Sequence, residues 1–165
     1  MPPIRSSLTS DLSSDLTSDE IIELLGLAPL PVEGGFFRVT HSSDRSSAIY
    51  FLMTPGGFSA MHRLIHPELW HWYAGAPAAM LLLDPDGGVR EPVLGVGLAA
   101  GQRPQVMVDP GVYMGASTTG DWTLVGTTMA PPFTEVGLEF PTVAQLVERW
   151  PGAADRIASL VRDPA

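Results

Sequence analysis

From residue 46 to residue 129 the hydrophobic positions come in short stretches, either alternating with polar ones or wholly apolar. SSAIYFLM (46–53), FSAMHRL (58–64), ELWHWYA (68–74), AAMLLLD (78–84), VREPVLG (89–95), PQVMVD (104–109), GVYMGAS (111–117) and WTLVGTTM (122–129) read as strands. A half-buried strand alternates because successive side chains leave opposite faces, and a fully buried one is apolar throughout. Between the stretches lie TPGG, DPDGG and TTGD, whose residue types suit tight turns. Many brief strands so punctuated predict an antiparallel sandwich or barrel. The two ends read differently. Thr17-Ser18-Asp19-Glu20 has the form of a capping box, opening a short helix through IIELLG with Gly26 as its stop. TVAQLVERW (142–150) and AADRIASLVRD (153–163) return to helical spacing. The expected architecture is an all-β middle flanked by short helices at both termini.

Composition changes the picture in a few places. A chain of 165 residues that is 45% hydrophobic and 16% charged suits one globular domain. The first 16 residues, where Leu-(Ser/Thr)-Ser-Asp recurs, are read as a mobile tail, and 17–165 as the single domain. A net charge of −9 argues against nucleic acid and anionic membrane as partners, since both recruit basic faces. No run approaches a membrane-spanning helix, and the N-terminus lacks a basic region leading into an apolar one, so the expected compartment is the cytoplasm. There is no cysteine, and all nine basic residues are arginines. Thiolate nucleophiles, thiolate metal sites, Schiff-base lysines and a P-loop lysine are excluded. Chemistry is left to His, Asp/Glu, Tyr, Ser/Thr, Arg, or a metal held by nitrogen and oxygen.

The candidate chemistry concentrates in HRLIHPELWHWYAGA (62–76), which holds three of the four histidines. Gly56 lies six positions before His62, Glu68 six after it, and Gly75 seven after Glu68. This spacing resembles the first cupin signature, G-x5-H-x-H-x3-E-x6-G, with Leu64 where the second histidine would stand. Glycines permit the turns, and alternation directs every second side chain into a barrel. The second cupin signature is fainter: Gly111 fits its later glycine, while Asp109, Met114 and Thr118 stand for its proline, histidine and asparagine. The blocks PVEGGFFR, SAIYFLMTPGGFSAMHR, ELWHWYAG, LAAGQRPQVMV and TLVGTTMAPPF are similar, in order, to those of the cupin-5 group, the DUF985 family. The resemblance implies a double-stranded β-helix, the cupin or jelly-roll barrel, with a pocket at one end and a homodimeric assembly. One block departs from the family's H-P-E-G-G-Y-Y and reads Pro31-Val32-Glu33-Gly34-Gly35-Phe36-Phe37, which removes polar groups around the pocket.

A full cupin metal site has three histidines and a glutamate; Leu64 and Met114 leave His62 and Glu68. If Glu68 points inward, alternation sends Trp70 and Trp72 inward too and His71 out, so a divalent metal on His62, Glu68 and His71 needs a bulge. The favoured reading has no metal and no cofactor. It is a small-molecule enzyme of isomerase, epimerase, lyase or cyclase type, with His62 and Glu68 as acid and base and Tyr113 beside them. Trp70, Trp72, Phe37, Glu33 and Arg103 are the candidate substrate contacts. The alternatives are a metal-dependent cupin oxygenase or lyase, and a non-catalytic ligand-binding barrel in which His62 and Glu68 are only a hydrogen-bonded pair. His66 and His41 read as loop residues, and Arg63, alternating away from His62, as half of a surface ion pair.

Overall fold

The computed structural model describes residues 15–162. Most of the expected N-terminal tail lies outside them. Leu16 is described, and its carbonyl accepts the Trp122 indole N–H at 2.9 Å.

Helix α1, Ser18–Leu25, begins at the capping box: Thr17 and Glu20 bond each other's backbone N–H, and Gly26 ends the helix in the left-handed region at φ 61°. A six-stranded antiparallel sheet follows the order β1 (Ala28–Pro29), β2 (Phe36–Ser42), β3 (Ser47–Met53), β11 (Thr123–Met129), β5 (Glu68–Gly75), β9 (Gln105–Val108). A five-stranded sheet follows the order β4 (Ser59–Arg63), β10 (Tyr113–Thr118), β6 (Ala78–Leu83), β7 (Val89–Arg90), with β8 (Val93–Leu94) also on β6. Helices α2 (Val143–Arg149) and α3 (Ala154–Leu160) close the chain, and Thr142 with Gln145 forms a second capping box at α2. The molecule is a double-stranded β-helix with short flanking helices at both ends.

Alternation divides the apolar residues among three packing zones. Phe51, Met53, Leu64, Trp70, Met80, Leu82, Met114 and Val125 point between the sheets and form the barrel core. Their neighbours Leu81 and Leu83 leave the other face of β6 and pack beneath α2 and α3 with Leu146, Trp150, Ile157 and Leu160. On the opposite outer face, Leu52, Ala74 and Trp122 meet Ile21 of α1. A β6 covered on both sides explains the unbroken run AAMLLL, which no alternation rule would identify as a sheet strand.

Two strands differ from the sequence reading. The expected strand 89–95 is two short pieces, because Glu91 and Pro92 interrupt it and proline donates nothing to a ladder. Strand β2 was not foreseen. It carries Phe37, Val39 and Ser42 on its inner side, but its register shifts between Val39 and His41, so the extra residue breaks the alternation that would have revealed it.

Candidate functional site

Between the sheets lies a cavity of about 580 Å³. His62 on β4 and Glu68 on β5 line it, with Trp70, Phe37 and Glu33. The structure therefore brings together five of the side chains singled out from the sequence. His62 is 3% exposed and Glu68 7%. The His62 Nδ1 lies 2.8 Å from the Ala60 carbonyl. A carbonyl only accepts, so Nδ1 carries the hydrogen and the neutral ring presents a bare Nε2. The Phe140 ring sits 6.0 Å from the imidazole. The Glu68 Oε2 accepts the Trp70 indole N–H at 2.9 Å. Burial pushes the Glu68 carboxyl above the usual range and the Glu33 charge adds to the rise; a protonated His62 would pull it down, as the hydrogen bonds of Thr127 and Trp70 do.

Glu33 enters from the turn at residues 30–35. Its Oε1 accepts the Ser59 hydroxyl at 2.9 Å, and its carbonyl accepts the Ala60 N–H at 2.8 Å. Gly35, at φ 67°, sits where a Cβ would meet the Phe51 ring and the Leu52 carbonyl, so only glycine fits. Val32, also at φ 67°, holds a strained conformation for a β-branched residue at the cavity rim.

The other candidates fall elsewhere. Tyr113 is not in the cavity. In the β10–β4 register Met114 pairs with His62 and Tyr113 with Arg63; since His62 and Met114 face inward, Tyr113 and Arg63 face out. The Tyr113 hydroxyl donates to Glu139 Oε1 at 2.6 Å, its ring meets Trp150, and Arg63 lies over it. Burial and the Glu139 bond raise the phenol to about 12. Trp72 packs on the barrel core away from the cavity wall, its N–H on the Ala76 carbonyl at 3.2 Å. Arg103 lies in an exposed loop, with its guanidinium on the Gln102 carbonyl at 2.8 Å. His71 faces outward: it bonds Thr128 and Gln105 and stacks on Tyr73. His66 is half-buried in the turn before β5, and His41 is exposed beside Ser46.

What sequence reasoning missed is the far wall. Ser42 and Ser47 come from β2 and β3, Thr127 from β11, and Phe133, Leu138 and Phe140 from the segment that follows β11 and crosses the mouth. That segment has no periodicity, and only its blocklike likeness to relatives hinted at it.

A family model described as Cupin superfamily (DUF985) matches residues 19–141. The chain belongs to this cupin family. A structurally characterised protein from Shewanella oneidensis is 32% identical to this cupin, superposes with a TM-score of 0.83, and is matched over 90% of this chain and 99% of its own. A hypothetical protein from Leishmania major is 28% identical, with a TM-score of 0.80, over 90% of this chain and all of its own, 100%. Pac13 from Streptomyces, a nucleoside dehydratase, is 11% identical with a TM-score of 0.51, over 68% of this chain and 82% of its own, which shows a shared fold only. No curated protein matches the chain.

The side chains present do not fit a cupin metal centre. Among the described residues no three His, Cys, Asp or Glu side chains are placed to hold an ion. Leu64 has no donor to offer, Met114 offers only a soft thioether sulfur in place of an imidazole, and His71 turns away from the barrel. No described helix is long and apolar enough to cross a membrane.

Proposed function

We propose that this cupin is a small-molecule enzyme of isomerase, epimerase, lyase or cyclase type, working by proton transfer between His62 and Glu68 without a metal. The observation that supports it most is the pairing itself: a bare imidazole nitrogen and a carboxyl group disposed to keep its proton line one apolar cavity. Such a pair suits a substrate with a C–H bond beside a carbonyl. The Nε2 of His62 takes the proton from carbon while Glu68 gives its proton to the carbonyl oxygen, leaving an enol. The enol proton then goes back to Glu68. Return of the imidazolium proton to another carbon completes an isomerisation; its transfer to a departing hydroxyl, which leaves as water, completes a dehydration. Trp70 is a positioning residue here, since its N–H fixes one oxygen of Glu68. Phe37 and Glu33 are substrate contacts, and Tyr113 has no part at the reacting atoms. We further propose a homodimer, as the family resemblance implies, and, from composition, a cytoplasmic protein with neither nucleic acid nor membrane as partner.

The test is solvent exchange. In deuterium oxide, with a panel of ketones and aldehydes, the wild-type protein is expected to exchange the α-proton of those its cavity accepts, read by proton NMR. His62→Ala is expected to slow exchange by about 10²- to 10⁴-fold, with Glu68→Gln slowed as well and ligand binding retained in both. Equal exchange in all three proteins would make the barrel a binding protein that does not catalyse.

A further inference from the structure

We infer that the ligand of this cavity is an organic cation, a protonated amine on an apolar body, with Glu33 as its counter-charge. This names the substrate class of the site proposed above and rests on that reading only for the cavity's use in turnover.

The charges on the wall are one-sided. Among the described residues Glu33, Glu68 and Glu135 line the cavity and no arginine does; lysine is absent from the chain. The arginines nearest in sequence are turned away. Arg63 holds Glu139 at 2.6 Å, and Arg38 donates to the Leu25 carbonyl at 2.9 Å on the outer side of β2. A carboxylate or phosphate ligand would meet no charge-assisted donor and would be desolvated beside like charges. An uncharged ligand would need no second carboxylate, and Glu33 exacts a cost, because its charge bears on buried Glu68.

The unpartnered polar atoms point the same way. His62 is nearly fully buried, its Nδ1 is committed to Ala60, and its Nε2 has no hydrogen-bond partner among the described residues. In the neutral ring that nitrogen accepts. On Glu33 one oxygen takes the Ser59 hydroxyl and the other is left to accept. A ligand whose polar end donates satisfies the Glu33 oxygen and leaves the His62 Nε2 open to the reacting carbon.

Five rings, Phe37, Phe51, Trp70, Phe133 and Phe140, stand among the aliphatic and hydroxyl residues of the remaining wall. Ring faces attract a cation, more so where water is thin. Among the described residues no three His, Cys, Asp or Glu side chains gather around an ion-sized point, which suits a molecule better than a bare ion. The groups that face Glu68 are His62 from β4, Thr127 from β11, Glu33 from the 30–35 turn, and Trp70 on its own strand.

The test uses one apolar body with three head groups: 2-naphthylmethylammonium, 2-naphthylmethanol and 2-naphthoate, each titrated calorimetrically into the full chain. The ammonium is expected to bind about tenfold more tightly than the alcohol, and the carboxylate not measurably. Glu33→Gln, whose amide oxygen still accepts from Ser59, is expected to keep the wild-type melting temperature and the alcohol's affinity while bringing the ammonium down to the alcohol. His62→Ala is expected to lose solvent exchange but keep the charge order, which separates this inference from the acid–base reading. The inference is overturned if the alcohol or the carboxylate binds as well as the ammonium, if Glu33→Gln retains the preference, or if none of the three binds.

Discussion

Glu68 is the residue whose surroundings say most. A carboxyl group buried at 7% exposure between Trp70 and His62 prefers its neutral form, so its native value lies above the ordinary 4.5. The native state then binds more protons than the unfolded chain between those two values, and stability falls with rising pH across that window. What protonated Glu68 contributes is complete below about 4.5 and is lost as pH rises through the raised native value. Glu68→Gln, neutral at every pH and still able to accept from Trp70, is expected to gain on the wild type in thermal melts as the buffer moves from acid to mildly alkaline. A constant difference between the two melting curves across that range would show that Glu68 titrates as an ordinary carboxyl. At the same scale, Tyr113 shows how little a residue's chemistry says without its parity. One position along β10 separates Met114, facing the barrel core, from Tyr113, beneath α2.

At the scale of elements, the segment 130–141 matters most to the site. It carries Phe133, Leu138 and Phe140 over the cavity and has no regular ladder beyond one bridge. There the backbones of Arg63 and Glu139 exchange hydrogen bonds of 3.0 and 3.1 Å. Side chains reinforce the bridge: Arg63 Nε donates to Glu139 at 2.8 Å, and Tyr113 donates from the other side at 2.6 Å. These bonds hold the Glu139 carboxyl below its usual range, with the tyrosine hydroxyl as the largest cause. That support is present above about 4.5 and is lost as pH falls through the lowered native value. The groups are exposed, so Glu139→Ala is expected to cost less than about 1 kcal/mol of global stability. Locally it should free the strap. Amide hydrogen exchange at Leu138–Phe140 is expected to quicken while β11 stays protected. Unchanged protection at those amides would mean that the backbone bridge suffices.

For the whole molecule, the outer face of the six-stranded sheet is the surface that the described residues leave partly uncovered. Helix α1 covers only the end holding Leu52, Ala74 and Trp122, while Tyr73 and Met107 stand 48% and 49% exposed beside the stacked His71. A homodimer would cover such a face, and light scattering is expected to give twice the mass of one chain. A single-chain mass would remove the dimer from the proposal.

Much of this was legible in the residues. The capping box at Thr17, the strands from β3 onward apart from the break at Glu91 and Pro92, and the inward trio of His62, Glu68 and Trp70 follow from rules of range four or less: alternation, turn chemistry and cap geometry. Those rules act within one element, so one sequence suffices to apply them. Tertiary structure alone decided which elements meet. It placed Glu33 from a distant turn near Glu68, pulled the aperiodic strap across the mouth, and turned Tyr113 and Trp72 away from the cavity. Such outcomes depend on register between strands far apart in the chain and on single-residue bulges. A one-residue shift there reverses every side chain that follows, and nothing local records it.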